Sequence, residues 1–334
     1  MILVAYLNYE NAMYQLSVKG EEFNAVPLMD IIFAPLDENT EKTDLPDFNL
    51  SGSIAEVAMY NDIIAKETSV LAGYINNEVI DFGYMAKWGE DKNLSLIIAS
   101  DEDLINPEQK MTLSTNDGGN ALRALDFFTN GDRGNLLIDA DMIKMEKGYT
   151  LKGNIRAEEF TVADSQVFSE LLKEKEFAKA QEELEKNGLS FDSFEGNFEQ
   201  YDQIFRISSG SAKGPTLGVT LDGYVDQKYD EISLAGTIIP AYGLNSFLGN
   251  IPLLGTIFTG GKDEGIFAAT YNMKGTIDEP EVKINPLMAL APGIFRKIFG
   301  AIGGSDNSPT AREEAEKSET VETEPPAPID KPIN

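Results

Sequence analysis

Apolar and polar residues alternate along most of this chain, which is the pattern of β-strands that bury one face of a sheet. Between residues 149 and 157, for example, Leu151, Gly153 and Ile155 alternate with Lys152 and Asn154. Asn, Asp and Gly separate such segments at hairpin-like intervals. We therefore expect a mainly β fold, a long antiparallel meander with strands over residues 48–58, 70–83, 84–86, 94–100, 111–115, 136–145, 149–157, 191–198, 201–208, 215–225, 231–239, 265–274 and 281–284.

Three segments with helical spacing interrupt the strands. The first covers residues 27–33, and the second covers residues 119–128 behind a capping residue, Asp117. The third, residues 165–187, is the longest, and its apolar residues form one stripe on a predicted single helix. We expect these helices to be insertions between strands of the sheet.

The stretch from residue 210 to residue 299 combines many Gly, Pro and Asn residues with branched aliphatic ones. Small or hydroxylated residues opposite aliphatic ones fit a curved sheet whose apolar face stays accessible. The same alternation is typical of ordinary half-buried core strands, and a shift of one residue in register would turn every side chain to the opposite face. On the first interpretation, six residues are candidates for lipid contact: Leu217, Val219, Leu221, Ile232, Leu234 and Ile238.

Composition narrows the classes of function. The chain has no Cys and no His, which excludes Cys or Ser-His nucleophilic catalysis, His-ligated zinc and disulfides. A formal net charge of -29 predicts that nucleic acid is not a partner, because phosphate binding depends on clustered Lys and Arg. Residues 303–334 are acidic and rich in Pro, which predicts a disordered tail.

The acidic residues do not form a recognisable catalytic or metal site. Asp101, Glu102 and Asp103 lack the ligand spacing of a calcium loop. Asp222 and Asp226 are interpreted as strand and turn residues. We therefore predict that the protein is not an enzyme and has no catalytic residues, no metal and no cofactor.

The sequence has no run of about 18 to 20 apolar residues that could span a bilayer, and no signal peptide follows Met1. Either the protein is cytosolic, or it is the C-terminal part of a longer chain with an upstream anchor. Residues 285–299 are apolar with one basic pair, and they could lie in a membrane interface or cap the open end of the sheet. On the first interpretation, the membrane-proximal residues are Phe295, Arg296, Lys297 and Phe299.

The second half of the chain resembles the C-terminal region of AsmA-like proteins, the envelope family that includes YhdP and TamB, in its alphaproteobacterial form. The resemblance spans about a third of the chain and depends on four sequence segments that occur in this order: GPTLGVTLDGYVD at 214–226, GTIIPAYGLNSFLGNIPLLGTIFTGG at 236–261, GIFAATYNMKGTIDEP at 265–280 and NPLMALAPGIFRKIF at 285–299. Residues 23–33 and 115–142 resemble recurring modules of the same family.

The resemblance implies an elongated, curved β-groove of repeated strand modules, of the bridge-like lipid-transfer type, with a few short helices. It implies that the protein shields acyl chains and supports phospholipid transport between inner and outer membranes and envelope integrity, in the periplasm and anchored through a segment absent from this chain. The alternative is a periplasmic scaffold or assembly factor that binds outer-membrane proteins at a strand edge. The expected division is AsmA-like modules at 1–160, a helical insertion at 161–188, an AsmA-like C-terminal domain at 189–302 and the tail at 303–334.

Overall fold

The computed structural model describes residues 3–35, 45–100, 109–145, 148–163, 165–240, 268–277 and 279–287. The fold is mainly β, as the alternation predicts, and its strands form one 16-stranded sheet. The strands are β1 (Leu3–Glu10), β2 (Met13–Asn24), β3 (Phe48–Ala58), β4 (Ile64–Ile75), β5 (Glu78–Lys87), β6 (Asn93–Ser100), β7 (Gln109–Thr115), β8 (Gly131–Asp132), β9 (Asn135–Lys144), β10 (Tyr149–Val162), β11 (Leu189–Tyr201), β12 (Ile204–Lys213), β13 (Leu217–Asp226), β14 (Glu231–Pro240), β15 (Ala268–Gly275) and β16 (Pro280–Leu287).

The helices in the described residues are short and lie between strands. They are α1 (Val26–Ile32), α2 (Gly118–Ala124), α3 (Gln166–Leu171) and α4 (Ala178–Asn187), with single 3-10 turns at Tyr60–Asp62 and Lys175–Phe177. Asp117 caps α2 as predicted, because its side chain accepts a hydrogen bond from the Asn120 backbone N–H. Its carboxylate also accepts one from Lys92 Nζ at 2.7 Å, which ties the start of α2 to the turn before β6.

The strands follow one another through the sheet almost in chain order. Each strand pairs with the next along the chain, except that β7 pairs with β9 and the short β8 pairs with β10. Among the described pairs, β2–β3 is parallel and the others are antiparallel. Because β1 and β16 each have one neighbour within the described residues, the sheet is open, and it continues across the predicted boundaries after residues 160 and 188.

The start of the sheet differs from the sequence-based expectation. The alternation analysis assigns no strand before residue 27, whereas β1 and β2 form a hairpin whose turn residues Asn11 and Ala12 both have positive φ. The parallel pairing of β2 with β3 requires a crossover connection. The predicted first helix, observed as α1, lies in that crossover.

Two predicted elements are divided in the structure. The predicted strand 70–83 contains a hairpin turn at Asn76 and Asn77, with φ of 52° and 63°, so it contributes to both β4 and β5. The predicted helix 165–187 is broken after α3. Its two apolar groups, 168–172 and 177–184, would lie on roughly opposite sides of one continuous helix at 3.6 residues per turn, and the break allows both groups to face the sheet.

One face of the sheet carries the core, and we call it the inner face. Around α2, residues of strands from β3 to β10 form one buried cluster with Ala121, including Val57, Ala65 and Leu94. Around α3 and α4, a second cluster contains Phe177 and residues of β11 to β15. The helices α2, α3 and α4 therefore cover the part of the inner face nearest to them.

The sheet curls around its inner face, because side chains from strands that are not neighbours meet. Lys144 at the end of β9 forms an ion pair with Glu78 at the start of β5. The rings of Phe127, after α2, and Phe205, in β12, meet edge to face with centroids 4.8 Å apart. Gln203 Nε2 donates to the carbonyl oxygen of Phe33 at 2.8 Å. The inner face is therefore concave.

Candidate functional site

A continuous apolar row crosses the inner face from the first strand to the last. Paired residues in the ladders connect it strand by strand, and every strand except β8 contributes one member. We call this set the trough row: Leu7, Leu16, Leu50, Ala72, Phe82, Ile98, Met111, Ala140, Gly153, Phe198, Ile207, Gly223, Leu234, Met273 and Val282. It contains no charged and no hydrogen-bonding side chain.

Much of the trough row remains accessible in the structure. Leu7 at the open edge is 67% exposed. Leu50, Phe82, Ile98 and Leu234 are half-buried, whereas Phe198, Ile207 and Met273 are buried. The row therefore forms the floor of a concave apolar surface that neither core cluster fully covers.

The two faces of the sheet differ in chemistry along this row. In each strand, the residues on either side of a trough-row member point to the outer face. Examples are Lys152 and Asn154, which flank Gly153, and Glu199, which follows Phe198. Lys152, Asn154 and Glu199 are all exposed. Ion pairs such as Arg156 Nη2 to Asp139 Oδ2 at 3.1 Å lie on that outer face. Single apolar residues such as Leu71, Met85 and Ile97 are exposed on the outer face, but the apolar row that runs from strand to strand lies on the inner face.

Tyrosines on the inner face report its low polarity. Burial raises the pKa of Tyr84 to about 12, and it also raises the pKa of Tyr271, whose hydroxyl donates to the Thr220 carbonyl oxygen at 2.8 Å. The Tyr84 hydroxyl has no hydrogen-bond partner among the described residues. It lies beside an apolar cavity of about 60 Å³ under α2, lined by residues that include Trp88 and Leu125. The interior of the curl is thus a low-dielectric environment.

The six residues predicted to contact lipid lie on the inner face. In the ladders, Val219 is paired with Ile238, Ile232 with Val225 and Leu234 with Gly223, and the others follow by the alternation along each strand. In the observed strand register, the six residues therefore share one face of the sheet.

These six residues differ in exposure. Leu217, Val219 and Ile238 belong to the core cluster under α3 and α4, where the chain's own helices cover them. Ile232 is 9% exposed, while Leu221 and Leu234 are half-buried. Lipid contact at all six stays a prediction, and Leu234 is the member that belongs to the trough row.

The predicted membrane-proximal residues Phe295, Arg296, Lys297 and Phe299 lie outside the described residues, as does the predicted tail 303–334. Within the described part of the chain, no helix combines the length and apolar character needed to cross a membrane. No group of three or more Asp or Glu side chains there is arranged to hold a metal ion.

Most of the trough row comes from strands that the sequence-based choice of site residues left out. Leu7 and Leu16 lie in the two unpredicted strands, and Phe82 and Ile98 lie in predicted strands whose inner faces were not singled out. A period-two signal was present, since Tyr14, Leu16 and Val18 alternate with Gln15 and Ser17.

No family model, curated protein or solved structure matches this chain.

Proposed function

We propose that the trough row holds the acyl chains of phospholipids, and that the protein supports phospholipid movement between the inner and outer membranes of an envelope. The observation that carries this proposal is the uninterrupted apolar row through β1 to β16, with no charged side chain on it. The resemblance to AsmA-like proteins supports the envelope setting, a periplasmic location and a role in envelope integrity.

The energetics of burial favour such a ligand. Each methylene removed from water contributes roughly 0.8 kcal/mol, so about ten methylenes on the trough row would contribute roughly 8 kcal/mol before the entropy cost of binding. The headgroup can remain in water because the sheet is open. A phospholipid therefore gains burial for its tails without desolvating its charges.

Movement along the row requires no chemical step. Neighbouring members of the row, such as Phe82 and Ile98, are cross-strand partners, and adjacent strands in a sheet are about 4.8 Å apart. Since no charge interrupts the row, a tail that shifts between its accessible members, such as those of β3 to β6, exchanges one apolar contact for another. This arrangement suits transfer and does not need a nucleophile or a metal.

The chain offers a matched pair of residues to test the proposal. Ile98 lies on the trough row and Ile97 points to the outer face, where it is 43% exposed. Wild type and variants are purified from a bacterial host under mild conditions, and bound phospholipid is measured by native mass spectrometry and lipid extraction. We expect Ile98→Asn to carry at most about a third of the phospholipid that wild type carries, because its amide must lose water to contact the tails. Ile97→Asn should retain as much as wild type.

As a control, circular dichroism and urea unfolding are used to check that both variants are folded. A lipid-free wild-type protein, or equal lipid loss in both folded variants, would contradict the proposal.

One observation favours a second candidate, a scaffold that binds outer-membrane proteins by strand addition. β1 is an edge strand in the described sheet, and it has no charge from Leu3 to Tyr9, which leaves its backbone open to a further strand. In this case Leu7→Pro should abolish capture of outer-membrane barrel proteins, while Leu16→Asn, on the paired β2, should leave capture unchanged. Capture that survives Leu7→Pro would contradict the scaffold role.

A further inference from the structure

A groove crosses the outer face of the first five strands, on the side of the sheet opposite the trough row. Its volume is about 530 Å³, and its lining residues come from β1 to β5. The side chains of Leu7, Leu16 and Leu50 point to the inner face, so their backbone forms the floor. The side chains before and after them form the walls, and we call six of these wall residues the polar groove: Tyr6, Gln15, Ser17, Asn49, Ser51 and Asp81.

Small side chains keep the middle of the groove open. Tyr6 is paired with Ser17, Ser17 with Ser51 and Ser51 with Leu71, so these four residues form one row across β1 to β4. Tyr6 and Leu71 at the ends of the row are 63% and 57% exposed. The row therefore has a low, hydroxyl-bearing middle between an aromatic ring and an aliphatic side chain.

The second wall presents amides and one carboxylate. Asn49 Nδ2 donates to Gln15 Oε1 at 3.4 Å, which leaves Gln15 Nε2 as a donor and Asn49 Oδ1 as an acceptor for a ligand. Asp81 is paired with Gly73, and a Cβ at Gly73 would overlap Asp81 Oδ1. The Asp81 carboxylate therefore lies over β4, where it closes this wall of the groove.

The groove has almost no charge. Asp81 is the single charged residue among those that line it, and none of them is Lys or Arg. Lys19, two residues beyond Ser17 on the same face of β2, is exposed and lies outside the lining. An anionic ligand would therefore find no opposite charge in the groove, whereas a neutral ligand rich in hydroxyl groups would find donors and acceptors.

We propose that the polar groove binds a neutral oligosaccharide. The ring of Tyr6 offers an apolar surface to the C–H face of a sugar, while the serine hydroxyls, the two amides and the Asp81 carboxylate pair with sugar hydroxyls, which both donate and accept. Four strand spacings of about 4.8 Å give the groove a length of about 19 Å, which accommodates a short run of sugar rings. This inference does not rest on the proposed function, because the groove and the trough row occupy opposite faces.

The first experiment tests the class of ligand. The full-length protein is titrated with three neutral hexasaccharides, made of α-1,4-linked glucose, β-1,4-linked glucose or β-1,4-linked N-acetylglucosamine, and with acidic hexagalacturonate. Binding is followed by calorimetry and saturation-transfer NMR. We expect at least one neutral hexasaccharide to bind at least about tenfold more tightly than hexagalacturonate, since Asp81 and the net charge of -29 repel the acidic one.

Two tyrosines of β1 locate the binding face. Tyr6 and Tyr9 are 63% and 61% exposed, and they lie on opposite faces because they are three residues apart on one strand. We expect Tyr6→Ala to raise the Kd of the preferred hexasaccharide at least about fivefold, because the ring contact is lost. Tyr9→Ala should leave the Kd unchanged.

A second matched pair fills the groove or spares it. Ser51 and Ser53 are both exposed on the outer face of β3, but only Ser51 lines the groove. We expect Ser51→Ile to raise the Kd at least about tenfold, because the larger side chain occupies the floor between Tyr6 and Leu71. Ser53→Ile should bind as wild type does, and circular dichroism checks that all four variants are folded.

The outcomes separate this inference from the proposed function. Binding of none of the three neutral hexasaccharides, binding of hexagalacturonate as tight as theirs, or equal loss in both members of either pair would contradict glycan binding in the polar groove. None of these results bears on lipid retention by the trough row. A lipid-free protein that binds the hexasaccharide would contradict the proposed function and support this inference.

Discussion

Two tyrosines on the inner face have the same side chain and opposite hydrogen-bonding states. The Tyr271 hydroxyl donates to the Thr220 carbonyl oxygen, whereas the Tyr84 hydroxyl is buried without a partner in the described structure. A buried hydroxyl that loses its hydrogen bond costs stability, but removing one that never had a bond does not. Comparing the two tyrosines therefore shows how much a hydrogen-bonded hydroxyl on the inner face contributes to the free energy of unfolding.

We expect Tyr271→Phe to lower the free energy of unfolding by about 1 kcal/mol at pH 7, because one neutral hydrogen bond is lost. Tyr84→Phe should leave it unchanged or raise it slightly. Urea unfolding followed by circular dichroism measures both. A larger loss for Tyr84→Phe than for Tyr271→Phe would show that the Tyr84 hydroxyl has a partner in solution.

The raised pKa of Tyr84 also predicts a pH dependence of stability. Its pKa is about 12 in the folded protein, against 10.0 for an unperturbed tyrosine, so the folded state holds the proton more tightly than the unfolded state. The ionisation of this tyrosine therefore leaves the free energy of unfolding unchanged below pH 10 and lowers it as the pH rises from 10 to 12, because the unfolded state loses its proton first. Between pH 8 and pH 11, wild type should lose about 1 kcal/mol more unfolding free energy than Tyr84→Phe. Parallel pH profiles would contradict the burial of this group.

At the scale of elements, the curl depends on places where two strands approach closely. Gly236 in β14 is such a place, since a Cβ there would overlap the carbonyl oxygen of Thr220 and lie 2.8 Å from the Tyr271 hydroxyl. Gly83 in β5 has open space where its Cβ would be. The two glycines occupy strands of one sheet and differ only in what surrounds them.

We expect Gly236→Ala to lower the free energy of unfolding by about 2 kcal/mol or more, because the strands must move apart to admit the methyl group. Gly83→Ala should be neutral or stabilising by up to about 1 kcal/mol, since alanine loses less backbone entropy than glycine. Thermal and urea unfolding of the two variants test this. A Gly236→Ala protein as stable as wild type would contradict the close approach of β14 to β13.

The elements themselves are predictable where local chemistry determines them. The period-two pattern identifies β3 with its observed ends, and Asp117 identifies the start of α2. The five-residue step between Leu172 and Phe177 indicates the break after α3, but the interpretation as a single apolar stripe overlooks it. The Asn76–Asn77 turn escapes the alternation analysis because apolar residues continue on both sides of it.

At the scale of the whole molecule, the trough row exists because every pair of neighbouring strands has a register that places an apolar residue next to an apolar residue. A sequence can indicate that Phe82 and Ile98 lie in strands, but not that they are cross-strand partners. The parallel β2–β3 pair also sets which side of β1 joins the row. Coverage by α3 and α4 determines that Val219 and Ile238 are core while Leu234 stays half-buried, and that tertiary contact has no local signal.

The most direct test of the central claim, that the row holds acyl chains, is photo-crosslinking to lipid at single positions. A benzoyl-phenylalanine side chain is placed at Ile98 or Leu234 on the trough row, or at Ile97 or Ser233 on the outer face, and the protein is irradiated in bacterial cells. The account predicts phospholipid adducts by mass spectrometry at Ile98 and Leu234 and none at Ile97 and Ser233. Equal labelling on both faces, or labelling of neither, would contradict it.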